Sequence, residues 1–106
     1  MGMMVKATFY VPLLDNDGSS LRSKIDDLEF VLFAHFVGWT KHGIATGAFK
    51  MSDGSRSDDT HLVFYVVLDE SRLTELEEIL VEFKRTTLQE SIYFEILRSV
   101  EIRLLK

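Results

Sequence analysis

The stretch His61-Leu62-Val63-Phe64-Tyr65-Val66-Val67-Leu68 decides the reading of this chain. Eight residues without glycine or proline, most of them β-branched or aromatic, predict a strand. Leu62, Phe64, Val66 and Leu68 share one face and Val63, Tyr65 and Val67 the other. Both faces are apolar, as in a central strand covered on both sides. Just upstream, Ser52-Asp53-Gly54-Ser55-Arg56-Ser57-Asp58-Asp59 is polar and rich in turn formers. Before it, Trp39 to Met51 is interrupted by Gly43 and Gly47, which suits a bent or bulged edge strand. The two runs predict a hairpin of strands 2 and 3, and a turn centred near Ser55 sets His61 opposite about residue 50.

Outward from this hairpin, Val5, Ala7, Phe9 and Val11 alternate with Met4, Lys6, Thr8 and Tyr10, the period of a strand with one buried face. Leu21, Ile25, Leu28, Val31, Leu32 and Phe36 recur at helical spacing, predicting helix 1 to about Val37, with Phe30 and Phe33 off the stripe. Asp69-Glu70-Ser71 opens helix 2 with Ser71 as its cap, and Leu73, Leu76, Ile79, Leu80 and Phe83 form its stripe. Ser91 to Ile96 alternates again as strand 4. Val100 to Leu105 either continues it or, in the preferred reading, forms a short fifth strand after a turn at Leu97 to Ser99.

Strand, helix, strand, strand, helix, strand over residues 1–106 predicts a single α+β domain of ferredoxin-like βαββαβ architecture, an antiparallel sheet of order 4-1-3-2 with two helices on one face. Right-handed crossovers predict strands 1 and 3 as parallel neighbours at the centre, with strands 4 and 2 antiparallel outside them. The face without helices carries Thr8, Tyr10, Val63, Tyr65, Val67 and Tyr93. An apolar patch of that size calls for a cover, and the simplest is a second copy, as a homodimer or higher homo-oligomer.

Composition narrows the function classes. Seventeen acidic against twelve basic residues give a net charge of −5, which disfavours electrostatic binding of nucleic acid or an anionic membrane. Strand 3 also lacks the basic and glycine residues of an RNA-recognition motif. The chain has no cysteine, so it can form neither a disulfide nor a thiolate metal site, in keeping with the cytoplasm. The apolar runs Phe30 to Val37 and Leu62 to Leu68 are too short to span a bilayer. Met1-Gly2-Met3-Met4-Val5-Lys6 predicts neither a signal peptide nor myristoylation. No phosphate-binding glycine motif occurs, and no cofactor is expected. Asp15-Asn16-Asp17-Gly18 fails as a calcium loop because Leu13 and Lys24 would stand at its first and twelfth positions. His35, His42 and His61 fall on separate elements, so no metal site and no catalytic residue is assigned.

In the expected topology the end of strand 1, the start of strand 2, the end of strand 3 and the start of strand 4 meet at one end of the sheet. Asp15, Asn16, Asp17, Trp39, Gln89 and Glu90 then become the candidate ligand-binding residues, with Thr40, Asp69, Glu70 and Ser91 nearby. An aromatic ring beside amides and carboxylates can orient a small polar ligand or a cation. The same residues are also what ordinary turns and helix caps require.

The segments Val11-Pro12-Leu13-Leu14-Asp15-Asn16-Asp17-Gly18 and Gln89-Glu90-Ser91-Ile92 resemble those of small bacterial proteins of uncharacterised function with a ferredoxin-like domain. The resemblance implies the fold and no activity. The expected function is a non-enzymatic, cytoplasmic, oligomeric binding or regulatory module whose partner is a protein or a small polar molecule. The alternative is a small enzyme of the dimeric α+β barrel, monooxygenase-like type, with His35 near a cavity beneath helix 1.

Overall fold

A computed structural model describes residues 3–106. The expectations drawn from Met1 and Gly2 lie outside the described residues. The chain forms β1 (Met4–Pro12), α1 (Arg22–His35), β2 (Thr40–Lys50), β3 (Arg56–Asp69), α2 (Leu73–Arg85) and β4 (Phe94–Leu97), with one 3-10 turn at Glu70–Arg72 leading into α2. This is an α+β architecture of four antiparallel strands and two helices. The order across the sheet is β2-β3-β1-β4, which counted from the other edge is 4-1-3-2.

The expectation of parallel central strands is overturned. β1 and β3 are antiparallel in a nine-residue register running from Met4 opposite Asp69 to Pro12 opposite His61. Chain direction explains it. The crossover through α1 brings β2 back parallel to β1 with one place left between them. The hairpin then reverses the chain into that place, so β3 opposes both neighbours.

The hairpin is tighter than expected. Lys50 pairs with Arg56 around a turn in which Met51 N–H donates to Ser55 O (2.8 Å) and Gly54 N–H donates to Met51 O (2.9 Å). Gly54 takes the left-handed conformation this turn needs (φ 88°). His61 therefore pairs with Ala45, not with a residue near 50. The polar run Arg56–Thr60 extends as strand because the eleven residues of β2 give it a partner.

The core is one cluster on one face of the sheet. Val5, Ala7, Phe9 and Val11 of β1 and Phe64, Val66 and Leu68 of β3 meet Leu21, Ile25, Leu28 and Leu32 from the α1 side and Leu73, Leu76, Leu80 and Phe83 of α2. At its centre Phe9 and Phe64 stand opposite each other in the register, rings stacked at 5.5 Å and 3°. Phe30 and Phe33 lie off the α1 stripe and stay exposed.

Local details depart from expectation in three places. Ser71 does not cap α2: the Asp69 carboxylate accepts from Ser71 N–H (2.9 Å) and starts the 3-10 turn. β4 begins at Phe94 rather than Ser91 and pairs only with Lys6 to Phe9. The short fifth strand does not form. Residues 98–106 carry no regular structure, and Leu104 and Leu105 are exposed. No helix among the described residues is long and apolar enough to cross a membrane.

Truncating Phe64 to alanine should destabilise the fold by about 3–5 kcal/mol, measured by urea denaturation, since it opens the centre of the core. Phe33→Ala, at an exposed position, should change stability by less than about 0.5 kcal/mol. Equal losses in the two variants would contradict this core.

Candidate functional site

Because β1 and β3 oppose each other, the end of β1 meets the start of β3, and the end of β2 and the start of β4 join them. The candidates split accordingly. Trp39 lies at the other end of the sheet, correcting the expectation, because β2 begins beside the second half of β3 (Thr40 opposite Tyr65). Its ring is 5.7 Å from that of Phe64 and packs against the core. Asp69 and Glu70 are at that far end too, where Asp69 pairs with Met4.

Asp15, Asn16, Asp17, Gln89 and Glu90 remain together. Past Pro12 the chain makes a tight loop in which Gly18 N–H donates to Asp15 O (2.8 Å) and Asp15 N–H to Ser19 O (2.7 Å). Gly18 supplies the positive φ (85°). Asp17 is spent within this loop, accepting from Ser19 N–H (2.9 Å) and the Ser19 hydroxyl (2.5 Å), bonds that lower its pKa.

Asp15 reaches across to the α2–β4 loop. Its carboxylate is almost fully buried and accepts from Leu88 N–H (2.9 Å), Gln89 Nε2 (3.1 Å) and Asn16 N–H (2.9 Å). Burial alone would raise its pKa, but these donors together hold it below the usual carboxylate value. Asn16 doubles the bridge: Nδ2 donates to Leu88 O (2.7 Å) and Oδ1 accepts from Gln89 Nε2 (3.1 Å). Glu90 ties in a third loop by accepting from Ser52 N–H (3.3 Å) in the hairpin turn. This clasp joins residues more than seventy positions apart in the chain.

Beside the clasp lies a cleft of about 290 Å³, with Asn16, Gln89 and Glu90 on one side and β2 and β3 on the other. Its remaining walls come from residues that sequence reasoning had not assigned to a ligand site, chiefly Tyr10, Phe49, Asp59 and His61. Tyr10 stacks on Tyr93 at 4.5 Å, and the His61 ring lies 5.9 Å from Tyr10 and 5.5 Å from Phe49, edge-on to the latter. His61 is only 8% exposed; its ring makes no hydrogen bond to any described residue, and its nitrogens stay open to the cleft rather than sealed from solvent. Burial pushes its pKa down and Asp59 opposes that only in part, so the ring is neutral at pH 7. The hairpin register was the missing signal: pairing His61 with Ala45 puts Phe49, two pairs past Asp59, on the same face as His61.

The cleft opens on the sheet face away from the helices. There the register aligns Thr8 with Tyr65 and Tyr10 with Val63, with Val67 and Tyr93 adjoining, so the six residues expected on that face do share it. Lys6 stands among them, its ammonium 4.2 Å from the centre of the Tyr65 ring. His35 is remote from the cleft, half exposed, with Nδ1 3.7 Å from Glu75. The apolar groove between the helices, about 370 Å³ and lined by Leu28, Val31, Ile79 and Phe83, does not include it. Among the described residues no three His, Asp or Glu side chains gather as metal ligands would. The sequence matches no family model and no curated protein.

Asp15→Ala should cost about 1–3 kcal/mol, since it leaves the Leu88 and Asn16 N–H groups and the Gln89 amide without their acceptor. Acidification should act in two stages. Between the lowered folded pKa of His61 and its ordinary 6.5, the unfolded chain binds a proton that the folded chain does not. Stability therefore falls as pH drops from 6.5 and levels off below the folded value. A second loss follows as pH falls below 3.8 and the lowered carboxyls of Asp15 and Asp17 take up protons. Urea midpoints across pH should show both stages, and His61→Phe should flatten the first alone.

Proposed function

We propose that this chain is a ferredoxin-like, non-enzymatic binding module that works in the cytoplasm as a homodimer and holds a small polar ligand in the cleft at the β1–β3 end of the sheet. The observation that carries the reading is His61: a nearly buried imidazole without a protein partner, set in the wall of an open cleft. Its nitrogens bond to no described residue and stay open to the cleft, so they are free to hydrogen-bond a ligand held there. The clasp of Asp15, Asn16 and Gln89 makes that wall rigid, as a binding site requires. Asp15 and Asp17 serve the scaffold in this reading, while Asn16, Gln89 and Glu90 border the ligand.

Dimerisation rests on the helix-free face. Tyr10 and Tyr93 belong both to the cleft and to that face, so a second copy packed on Val63, Tyr65 and Val67 would adjoin the bound ligand. Ligand and partner would then stabilise one another by mass action.

Sedimentation equilibrium at micromolar concentration should return twice the chain mass of 12.2 kDa for the unaltered protein. Tyr65→Glu, which sets a carboxylate in the centre of the contact, should return a folded single copy. A single copy for the unaltered chain refutes the dimer.

A further inference from the structure

We propose that the cleft binds a small organic cation, an ammonium or guanidinium carried on a flat or apolar body, with His61, Asp59 and Glu90 taking the charged end and Tyr10 and Phe49 the body. The inference rests on reading the cleft as the ligand site. It adds the chemical class.

Three observations point to a cation. The carboxylates of Asp59 and Glu90 line the cleft, and among the described residues neither has a Lys, Arg or His nitrogen within 4.0 Å. Each has only neutral partners: Asp59 accepts from the Ser57 hydroxyl (2.9 Å) and Glu90 from Ser52 N–H (3.3 Å). Lys50 is the single cationic side chain on the lining, so the carboxylates outnumber it and the cleft is negative overall.

The aromatic rings act in the same direction. Ring faces attract a cation through their quadrupole, and the attraction strengthens where water is excluded. Tyr10 and Phe49 flank His61 from opposite strands, at 5.9 and 5.5 Å. The imidazole is neutral at pH 7 because burial lowers its pKa. A neutral imidazole keeps a lone pair on one ring nitrogen and accepts a hydrogen bond there, as an ammonium or guanidinium N–H requires. A protonated ring would have only donors and would repel the ligand. An anionic ligand would meet two carboxylates and find no arginine on the lining.

Benzylamine, benzyl alcohol and benzoate share a ring and differ in charge. Titrated into the full chain at pH 7 and followed by NMR, benzylamine should shift the resonances of Tyr10, Phe49 and His61 and bind about tenfold more tightly than benzyl alcohol, with benzoate weakest. Asp59→Asn and Glu90→Gln should each reduce that preference, and the double variant should erase it. Equal binding of amine and alcohol, or tighter binding of benzoate, overturns the cation assignment but leaves a ligand site in place. If none of the three perturbs those residues, the cation assignment and the site reading fall together.

Discussion

The antiparallel pairing of β1 with β3 is the constraint on which the rest of the molecule depends. Its nine-residue register sets Phe9 against Phe64 and fills one face with small and branched apolar residues that both helices cover. Direction matters as much as adjacency. With the central strands opposed, the loop after β1 and the hairpin turn before β3 share one end of the sheet, and the short β4, antiparallel to β1, brings the α2–β4 loop to the same place. Every residue around the cleft owes its position to this polarity. Trp39 shows the converse, since the same polarity carries it to the far end.

The Asp15 clasp converts that convergence into a fixed wall. Loops gathered by topology alone would keep their conformational freedom, and holding each of their residues in place opposes folding by about 1–2 kcal/mol. One carboxylate that accepts from two backbone N–H groups and a side-chain amide repays much of this, because charge-assisted bonds are stronger than neutral ones and are here largely shielded from water. The acidic turn thus has a structural task. Asp15 and Asp17 look inward to the loops, and the amides beside them present a rigid edge to the cleft.

Much of this was legible in the sequence, and the losses have identifiable causes. The alternation of β1, the double-sided apolar run of β3 and the stripe of α2 reflect burial patterns that a single chain dictates locally. The pairing of the Asp15 segment with Gln89 and Glu90 was legible because both abut strands that neighbour each other. Chain direction was not, since it depends on counting reversals through a crossover and a hairpin. Parallel central strands would put Trp39, Asp69 and Glu70 at the cleft end, and the antiparallel pair puts them at the other. The position of His61 was lost by a few residues of hairpin register: polar Arg56–Thr60 has turn composition and becomes strand only because β2 is there to pair with it. The tail Val100 to Leu105 has strand periodicity and no strand, so the pattern alone does not settle pairing.

His61 shows how sequence, packing and chemistry meet in one side chain. Its place in β3 is opposite Pro12 and between Tyr10 and Phe49, where most of the ring is covered. Burial of the ring lowers its pKa, while its nitrogens, which bond to no described residue, stay open to the cleft. The cost of burial falls on the protonated ring in the native state, because the unfolded chain hydrates it freely. In the proposed function a ligand N–H would meet a neutral acceptor already fixed between two aromatic rings. Preorganisation of that acceptor by the sheet, rather than relief of strain, is then what the proposed binding would draw on.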